Sequence, residues 1–307
     1  MILITEFMDE LAVTKLRQKY EVIYDPSLVE RQDAILELIG KTRAIIVRNK
    51  TLVTKILINK ASNLSCVGRL GVGLDNIDLV ACEENNVTVY PALGANSNSV
   101  AEYVICSAML LLRRAFQKNI EMISGVWPRQ ESSGLEVRGK TIGLIGYGEI
   151  AQRTSVIAKS LGMKVVAFDP YINASSDLWR DTEKLSLEKL LRVSDVISLH
   201  IPLNKETNNL LDENKLSLVK PSAVLINSAR GGILDENALA KALRENRIRG
   251  AALDVFSEEP LSEEKAKKFS QLNNIILTPH IAGITEESNE RVSQMIADKV
   301  EKHLSDI

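Results

Sequence analysis

Apolar residues along this chain form short continuous runs that alternate with longer stretches of helical periodicity. The short runs predict buried strands, because a parallel strand that is covered on both faces is apolar throughout. The periodic stretches, such as 28–39, predict amphipathic helices. This alternation is typical of a doubly wound α/β unit. The strands predicted in the first part of the chain are Ile2–Ile4, Val22–Tyr24, Ala44–Val47 and 64–67.

The same alternation returns in the second half, after a looser polar stretch around 125–139. It predicts a second α/β unit with its own parallel sheet. We therefore expect an α/β protein with two doubly wound parallel-sheet domains. The strands predicted for the second sheet are 141–145, 165–168, Val196–Leu199, 223–226, Gly250–Leu253 and Ile275–Leu277.

One apolar segment, 103–112, could be mistaken for a membrane span. It is too short, because a helix needs about 20 residues to cross a bilayer. Since it is apolar nearly all round, it predicts a helix buried on several faces, in a core or against a second subunit. Ser99 and Glu102 fit a capping box at the start of this helix.

The run from Thr141 to Ala151 places glycines where a buried strand turns into a helix. Gly146 allows a tight turn, Gly148 lets the backbone approach a pyrophosphate, and Ala151 permits close packing of the helix on the strand. Free N–H groups and the positive end of the helix dipole suit an anion there. Alone, the pattern is equally typical of an ordinary turn between strand and helix.

An acidic residue favours the dinucleotide interpretation. Asp169 ends the next predicted strand, about 20 residues beyond the glycines, where a dinucleotide-binding unit reads the ribose. A carboxylate there accepts hydrogen bonds from the ribose hydroxyls and repels a 2′-phosphate, so NAD is favoured over NADP. The alternative is that Asp169 only caps the turn before Pro170.

Composition narrows the class of protein. With 307 residues, 45% of them hydrophobic, the chain can form two domains with cores. Its 38 basic and 40 acidic residues leave a net charge near −2, which excludes a strong electrostatic footprint for nucleic acid or anionic membranes. The first residues resemble a buried strand, not a secretion signal, so we expect a cytoplasmic protein.

Cysteines give no sign of a disulfide framework or a metal site. Cys66, Cys82 and Cys106 are widely spaced and set among apolar neighbours. They are expected to be reduced core residues, and no metal is expected.

Polar residues follow successive predicted strands of the second unit, at the edge where an open α/β sheet binds its ligand. Each has an ordinary structural explanation: Arg230 as a surface charge, His280 as a hydrogen-bonded core imidazole, Glu259 as an acid in a solvated turn. Their coincidence at one edge favours an active site. The segments are His200 to Leu203, Asn227 to Gly232, Asp254 to Phe256, and Thr278 to Gly283.

Taken together, these motifs resemble the D-isomer-specific 2-hydroxyacid dehydrogenases over nearly the whole chain. The resemblance includes the segment from Gly71 to Asp78 and that from Ser99 to Glu102. It implies a Rossmann NAD-binding domain, 99–284, inserted in a flavodoxin-like substrate domain, 1–98 and 285–307. It also implies a homodimer built largely on the helix after Ser99.

The resemblance implies that Arg230, Glu259 and His280 form a catalytic trio, and their chemistry suits the reaction. Oxidation of a hydroxyl carbon leaves a proton that a base must accept, and histidine serves near neutral pH. Glu259 would fix the tautomer of His280. Arg230 would bind the substrate carboxylate through two parallel hydrogen bonds.

Cofactor contacts are carried over from the same resemblance. Pyrophosphate is expected along the glycine-rich turn, ribose at Asp169, and the nicotinamide near Ala229 and Asp254. His200 is expected to be a wall of the pocket, not a second base. The full set is Gly146, Tyr147, Gly148, Glu149, Ile150, Asp169, His200, Pro202, Thr207, Ala229 and Asp254.

For the substrate, the resemblance also implies that the backbone N–H groups of Val72 and Gly73 donate to the substrate carboxylate. Arg48 and Lys50, with neighbouring arginines, are candidates for binding a second anionic group. The segments Glu6 to Glu10, Arg48 to Thr51 and Trp127 to Arg129 are most similar to those of bacterial (S)-sulfolactate dehydrogenases.

This subfamily resemblance implies that the acid carries a sulfonate as well as a carboxylate, as in (S)-3-sulfolactate. Alternatives are D-3-phosphoglycerate, whose phosphate offers similar charge, and glyoxylate or hydroxypyruvate, which need no second cationic pocket. Formate is disfavoured, because formate dehydrogenases of this fold have Gln in place of Glu259. We expect no regulatory extension after His303. An NAD-sensing binding protein is the alternative from another class.

Overall fold

The computed structural model describes residues 1–114 and 118–307. The chain divides into two units, Met1–Asn96 with Ile284–Ile307, and Ser97–Gly283. Assignment of the substrate to the first unit stays a prediction.

The first unit is built on a five-stranded parallel sheet of order β2-β1-β3-β4-β5. Its strands are β1 (Ile2–Ile4), β2 (Val22–Tyr24), β3 (Ala44–Val47), β4 (Cys66–Arg69) and β5 (Thr88–Pro91). Its helices are α1 (Glu10–Arg17), α2 (Gln32–Leu38), α3 (Lys55–Lys60), α4 (Leu79–Glu84) and the last helix of the chain, α12 (Glu286–Asp306).

Alternate side chains of β1 supply the two cores of this unit. Ile2 and Ile4 pack in one cluster with residues of α1 and α12, while Leu3 packs in the other with residues of α2 to α4. Helix α12 lies very close to β4, because a Cβ on Gly68 would come within 2.6 Å of Ile296 Cγ2. The hydrophobic effect of burying both faces therefore holds this unit together.

The periodic stretch 28–39 is not one helix. A 3₁₀ turn, Pro26–Glu30, precedes α2, and Arg31 between them has φ −132° and ψ 65°. The guanidinium of Arg31 donates back to Asp25 Oδ2 (2.9 Å) and Ser27 Oγ (3.0 Å). These local contacts compete with a continuous helix, which the apolar spacing alone could not reveal.

The second unit is built on a seven-stranded parallel sheet of order β12-β11-β10-β9-β6-β7-β8. Its helices are α5 (Ser97–Arg113), α6 (Asn119–Ile123), α7 (Glu149–Ser160), α8 (Leu187–Val193), α9 (Glu213–Leu216), α10 (Glu236–Arg244) and α11 (Glu263–Ala266). Its strands are β6 (Thr141–Ile145), β7 (Lys164–Phe168), β8 (Glu183–Lys184), β9 (Val196–Leu199), β10 (Val224–Asn227), β11 (Gly250–Leu253) and β12 (Ile275–Leu277). Two parallel doubly wound sheets confirm the predicted fold class.

The apolar helix α5 differs from its prediction in two respects. It begins at Ser97, so Ser99 lies inside the helix and the predicted capping box at Ser99 and Glu102 is wrong. Val104 and Ala108 are buried in a core cluster, whereas Met109 is 39% exposed. The helix is thus covered on one side within the unit. Across the described ranges, 1–114 and 118–307, no helix is both long and apolar enough to span a membrane.

The cysteines correspond only in part to the expected core residues. Cys66 and Cys82 are buried, and burial raises their thiol pKa values to about 12 and about 11. Such thiols are inert at neutral pH. Cys106 is exposed on α5, because it lies on the face of the helix that the unit does not cover.

Candidate active site

The glycine-rich turn lies between β6 and α7, at the point where the strand order of the second sheet reverses. Gly146 has φ +87°, and a Cβ there would lie 2.5 Å from the carbonyl oxygen of His200. Glycine is therefore required by both conformation and space. Gly148 is the N-cap of α7, with open space where its Cβ would be.

Asp169, directly after β7, connects its own turn to the glycine-rich turn through hydrogen bonds. Its Oδ2 accepts a hydrogen bond from the N–H of Tyr147 (2.9 Å), and its Oδ1 accepts from the N–H of Tyr171 (3.0 Å). Each carboxylate oxygen keeps a lone pair for a further donor. The local capping role and a ribose-binding role are thus compatible.

The residues around Gly148 present mainly backbone to a cofactor. The Tyr147 ring is buried, stacks on Trp179 at 5.2 Å, and exchanges a 2.7 Å hydrogen bond with Thr182. Glu149 forms an exposed ion pair with Arg153 (2.9 Å). Ile150 follows in the first turn of α7. An open Gly148 above the N-terminus of α7 fits the pyrophosphate of NAD.

The segment after β9 contains three more of the predicted cofactor residues, His200, Pro202 and Thr207. His200 is extensively desolvated, which lowers its pKa to about 4, so the imidazole is neutral at physiological pH. Pro202 and Thr207 belong to one turn, in which Thr207 Oγ1 donates to the carbonyl of Pro202 (2.7 Å). A neutral His200 suits a wall of the pocket and not a base.

Arg230 lies in the turn after β10, which Asn227 shapes. Asn227 Nδ2 donates to the carbonyl of Arg230 (2.9 Å), and its Oδ1 accepts from the N–H of Ala229 (3.1 Å). A Cβ on Gly231 would meet the carbonyl oxygen of Phe256 at 1.8 Å, so this turn packs tightly on the segment after β11. That close approach brings Arg230 near the Glu259 segment.

Glu259 and His280 are paired in the structure. His280 Nδ1 lies 2.7 Å from Glu259 Oε2, and Glu259 Oε1 accepts from the N–H of Phe256 (3.0 Å). Burial alone would raise the pKa of Glu259, but hydrogen bonds from His280 and Phe256 and the charges of His280 and Arg230 outweigh it. The net effect is a pKa below the ordinary value, so Glu259 is a carboxylate.

Two buried acids that support the pair were not predicted in this role. Asp254, 1% exposed, accepts from Thr278 Oγ1 (2.6 Å) and from the N–H groups of Ile281 (2.8 Å) and Ala282 (2.7 Å). These contacts fix the backbone on both sides of His280, which adopts φ +56°. Strain of this kind is maintained only where the surroundings define the conformation.

Glu236 is the second supporting acid. It is 7% exposed, accepts from the N–H of Ser257 (2.6 Å) and pairs with Lys268 (2.8 Å). It therefore fixes the segment that leads to Glu259. The only sequence signal was an acid at the start of α10, which is equally typical of a favourable helix terminus.

The predicted substrate residues of the first unit follow two of its strands. Val72 and Gly73 lie in irregular, partly exposed backbone after β4. Arg48 and Lys50 follow β3; Arg48 donates from Nη2 to Asn289 Oδ1 (2.8 Å), and Lys50 is exposed. Within the part of the chain that the structure describes, no cluster of three His, Cys, Asp or Glu side chains could hold a metal ion.

Comparisons of the chain with a family model and with individual proteins agree on one family. The model for the NAD-binding domain of D-isomer specific 2-hydroxyacid dehydrogenases matches residues 105–282. The (S)-sulfolactate dehydrogenase of Chromohalobacter salexigens is 45% identical over 304 residues, 99% of this chain and 98% of that protein. The hydroxypyruvate reductase of Thermotoga maritima is 34% identical over 97% of this chain and 96% of that protein.

Other relatives are longer than this chain. The D-3-phosphoglycerate dehydrogenase of Synechocystis is 36% identical over 97% of this chain, which spans 53% of that protein. Among solved structures, a D-lactate dehydrogenase from Aquifex aeolicus complexed with NAD and lactic acid has a TM-score of 0.85 at 29% identity, covering 100% of this chain and 96% of that one. By the family model and the relatives that match over nearly their full length, the chain belongs to the D-isomer-specific 2-hydroxyacid dehydrogenases and is an NAD-dependent oxidoreductase of 2-hydroxy acids.

Proposed function

We propose that His280, Glu259 and Arg230 carry the chemistry of this dehydrogenase. The observation that supports this most strongly is the 2.7 Å contact between His280 Nδ1 and Glu259 Oε2. Because the carboxylate accepts, Nδ1 carries a hydrogen and Nε2 is the nitrogen left for the substrate. The His280 side chain is 42% exposed, so a substrate hydroxyl can reach it.

Bound NAD would supply the acceptor for the hydride that leaves carbon 2 of the hydroxy acid. His280 Nε2 takes the proton of the hydroxyl in that direction and returns it to the keto oxygen in the other. Glu259 stabilises the imidazolium that forms, because its carboxylate is ionised throughout the neutral range. Arg230 binds the substrate carboxylate and polarises the keto oxygen, which fixes the face presented to the cofactor.

For the cofactor, we propose that the backbone of Gly148, Glu149 and Ile150 binds the pyrophosphate and Asp169 the ribose. The open space at Gly148 and the two backbone contacts of Asp169 support this assignment. His200, Pro202, Thr207, Ala229 and Asp254 remain proposed contacts along the rest of the cofactor.

We propose a substrate with a second anionic group, (S)-3-sulfolactate in preference to D-3-phosphoglycerate or glycerate. The 45% identity to a sulfolactate dehydrogenase over the full chain supports it, and so does an Arg48 guanidinium fixed by Asn289. The stereochemistry agrees with a D-specific family. Sulfur gives the sulfomethyl group priority over the carboxyl, so (S)-3-sulfolactate has the spatial arrangement of D-lactate.

The test is NADH oxidation with sulfopyruvate, 3-phosphohydroxypyruvate, hydroxypyruvate, glyoxylate and pyruvate, ranked by kcat/KM. The proposal predicts that sulfopyruvate leads pyruvate by about tenfold or more, about 1.4 kcal/mol in the transition state. Equal turnover of sulfopyruvate and pyruvate contradicts it. A lead by 3-phosphohydroxypyruvate supports a phosphoglycerate dehydrogenase, and a lead by hydroxypyruvate or glyoxylate supports a general reductase.

We propose further that the protein is a cytoplasmic homodimer. Exposed apolar side chains, Met109 on α5 and Ile120 and Ile123 on α6, are the candidates for contact with a second copy. Free cysteines are compatible with a reducing compartment. Light scattering of the purified protein gives the oligomeric state directly, and a monomer at micromolar concentration contradicts the dimer.

A further inference from the structure

Glu6 is a buried carboxylate that organises a loop of the first unit. It is 5% exposed. Its Oε1 accepts from the N–H groups of Arg48 (2.8 Å) and Thr51 (2.9 Å), and its Oε2 accepts from those of Asn49 (3.3 Å) and Lys50 (3.1 Å). One side chain thus holds four successive backbone N–H groups, and we name residues 48–51 the basic loop.

The position of Glu6 in the sheet is the one where a ligand is expected. Glu6 follows β1 and the basic loop follows β3, and these neighbouring strands are where the strand order of the first sheet reverses. Open α/β sheets bind ligands beyond the carboxyl ends of their strands at such a point. The basic loop therefore lies at the expected ligand-binding edge of this unit.

Other contacts hold the basic loop on its remaining sides. Asn76 Nδ2 donates to the carbonyls of Thr51 (2.7 Å) and Arg48 (3.3 Å). Thr51 Oγ1 shares a 2.8 Å hydrogen bond with Thr5 Oγ1. With its four N–H groups and the carbonyls of Arg48 and Thr51 bound, the backbone of the loop has a defined conformation.

The cationic side chains of the loop depend on this backbone. Arg48 donates to Asn289, and its guanidinium lies 6.0 Å from the centroid of the Phe7 ring. Burial lowers the pKa of Arg48, and the charge of Glu6 acts in the opposite direction. Lys50 is exposed and unconstrained by any ion pair seen in the described residues. Glu6 therefore determines where two cations are presented.

We propose that Glu6 is a positioning residue for substrate selectivity: by holding the basic loop, it sets the preference for acids with a second anionic group. The inference rests on the proposed function, since it assigns that preference to Arg48 and Lys50. It does not make Glu6 a catalytic residue, because its carboxylate is directed at backbone N–H groups.

Glu6→Gln is the sharpest variant, because it keeps the shape of the side chain. In either orientation of the amide, two of the four backbone N–H groups face an NH₂ group. Both groups are hydrogen-bond donors, so those two hydrogen bonds are lost. We expect KM for sulfopyruvate to rise about tenfold, the effect of losing one charged hydrogen bond. We expect kcat/KM for pyruvate, which has no second anionic group, to stay within about twofold.

Asp9→Asn is the matched control. Asp9 is also a carboxylate of the first unit that accepts a backbone hydrogen bond, from the N–H of Leu11 (3.0 Å), but it caps α1 and does not touch the basic loop. Asparagine caps helices equally well. The ratio of the two kcat/KM values is expected to be unchanged in this variant.

The outcomes separate the inference from the proposed function. A wild type without preference for sulfopyruvate over pyruvate overturns the proposed substrate and this inference with it. A wild-type preference that Glu6→Gln retains overturns the inference alone. Equal loss of kcat/KM for both acids also overturns it, because that result indicates a structural role only.

A second variant covers the case in which Glu6→Gln does not fold. Asn76→Ala removes the two donors to the basic loop from the other side and leaves Glu6 in place. It is expected to lower the sulfopyruvate-to-pyruvate ratio in the same direction and to speed hydrogen exchange in residues 48–51. Faster exchange with an unchanged ratio contradicts the inference.

Discussion

Each of the two sheets has, at its carboxyl end, a buried carboxylate that accepts hydrogen bonds from a neighbouring loop. In the NAD-binding unit, Asp254 accepts from Thr278, Ile281 and Ala282 and so fixes His280. In the other unit, Glu6 accepts from four N–H groups of residues 48–51. The first loop carries His280, the proposed proton-transfer group, and the second carries the cationic side chains Arg48 and Lys50.

The same arrangement holds loops with different side chains, and we propose that the two loops serve different tasks. A buried carboxylate without donors is costly, so each acid strongly favours the loop conformation that satisfies it. Changes around Asp254 are therefore expected to alter turnover, and changes around Glu6 to alter the choice of acid.

The largest expected effect is that of His280→Ala. Removal of the acid–base group is expected to lower kcat for every keto acid by about a thousandfold. The sulfopyruvate-to-pyruvate ratio of kcat/KM is expected to stay within about twofold, since residues 48–51 are untouched. Steady-state NADH oxidation measures both. Residual activity within tenfold of wild type contradicts the role of His280.

A smaller effect is expected from Gly148→Ala. The structure has open space at that Cβ, so the melting temperature is expected to fall by no more than a few degrees, the cost of alanine at the N-cap of α7, while the added methyl occupies the space proposed for pyrophosphate. We expect Kd for NADH, measured by fluorescence, to rise about tenfold or more. Gly40→Ala, where the nearest atom is 4.0 Å away, is the control. Unaltered NADH binding contradicts the proposed pyrophosphate site at Gly148.

The smallest expected effect concerns Glu259 and pH. Its folded-state pKa lies below the ordinary 4.5, so its stabilisation is fully present above that value and is lost as pH falls through the folded pKa. The difference in free energy of unfolding between wild type and Glu259→Gln is expected to shrink as pH falls below 4.5. Urea titrations at several pH values measure it. A difference that does not shrink below pH 4.5 contradicts the lowered pKa of Glu259.

The sequence predicted the two-sheet architecture, which the structure confirms, and named candidate site residues whose roles stay predictions. Apolar runs located ten of the twelve strands among the described residues, all but β5 and β8, and the residues after them led to Arg230, Glu259 and His280. The short strand β8, Glu183–Lys184, was missed because neither residue is apolar and both are exposed. Ser99 was misread as a helix cap, since a serine inside α5 has the same local pattern.

The supporting acids could not be predicted from local patterns. Glu6 binds residues 42 to 45 positions away, and Asp254 binds N–H groups 27 and 28 positions away. Such pairings arise only when parallel strands bring their carboxyl ends together. Asp254 was expected near the nicotinamide, and its contacts with the His280 segment became visible only in the fold.

The most direct test of the comparison is to measure the selectivity ratio and kcat in Asp254→Asn, Glu6→Gln and the double variant. Asp254→Asn is expected to lower kcat for both acids by about ten- to a hundredfold through misplacement of His280 and to leave the ratio unchanged. Glu6→Gln is expected to lower the ratio alone, and the double variant to show the product of the two effects. If Asp254→Asn lowers the sulfopyruvate-to-pyruvate ratio as much as Glu6→Gln does, the division of tasks between the two carboxylates is wrong.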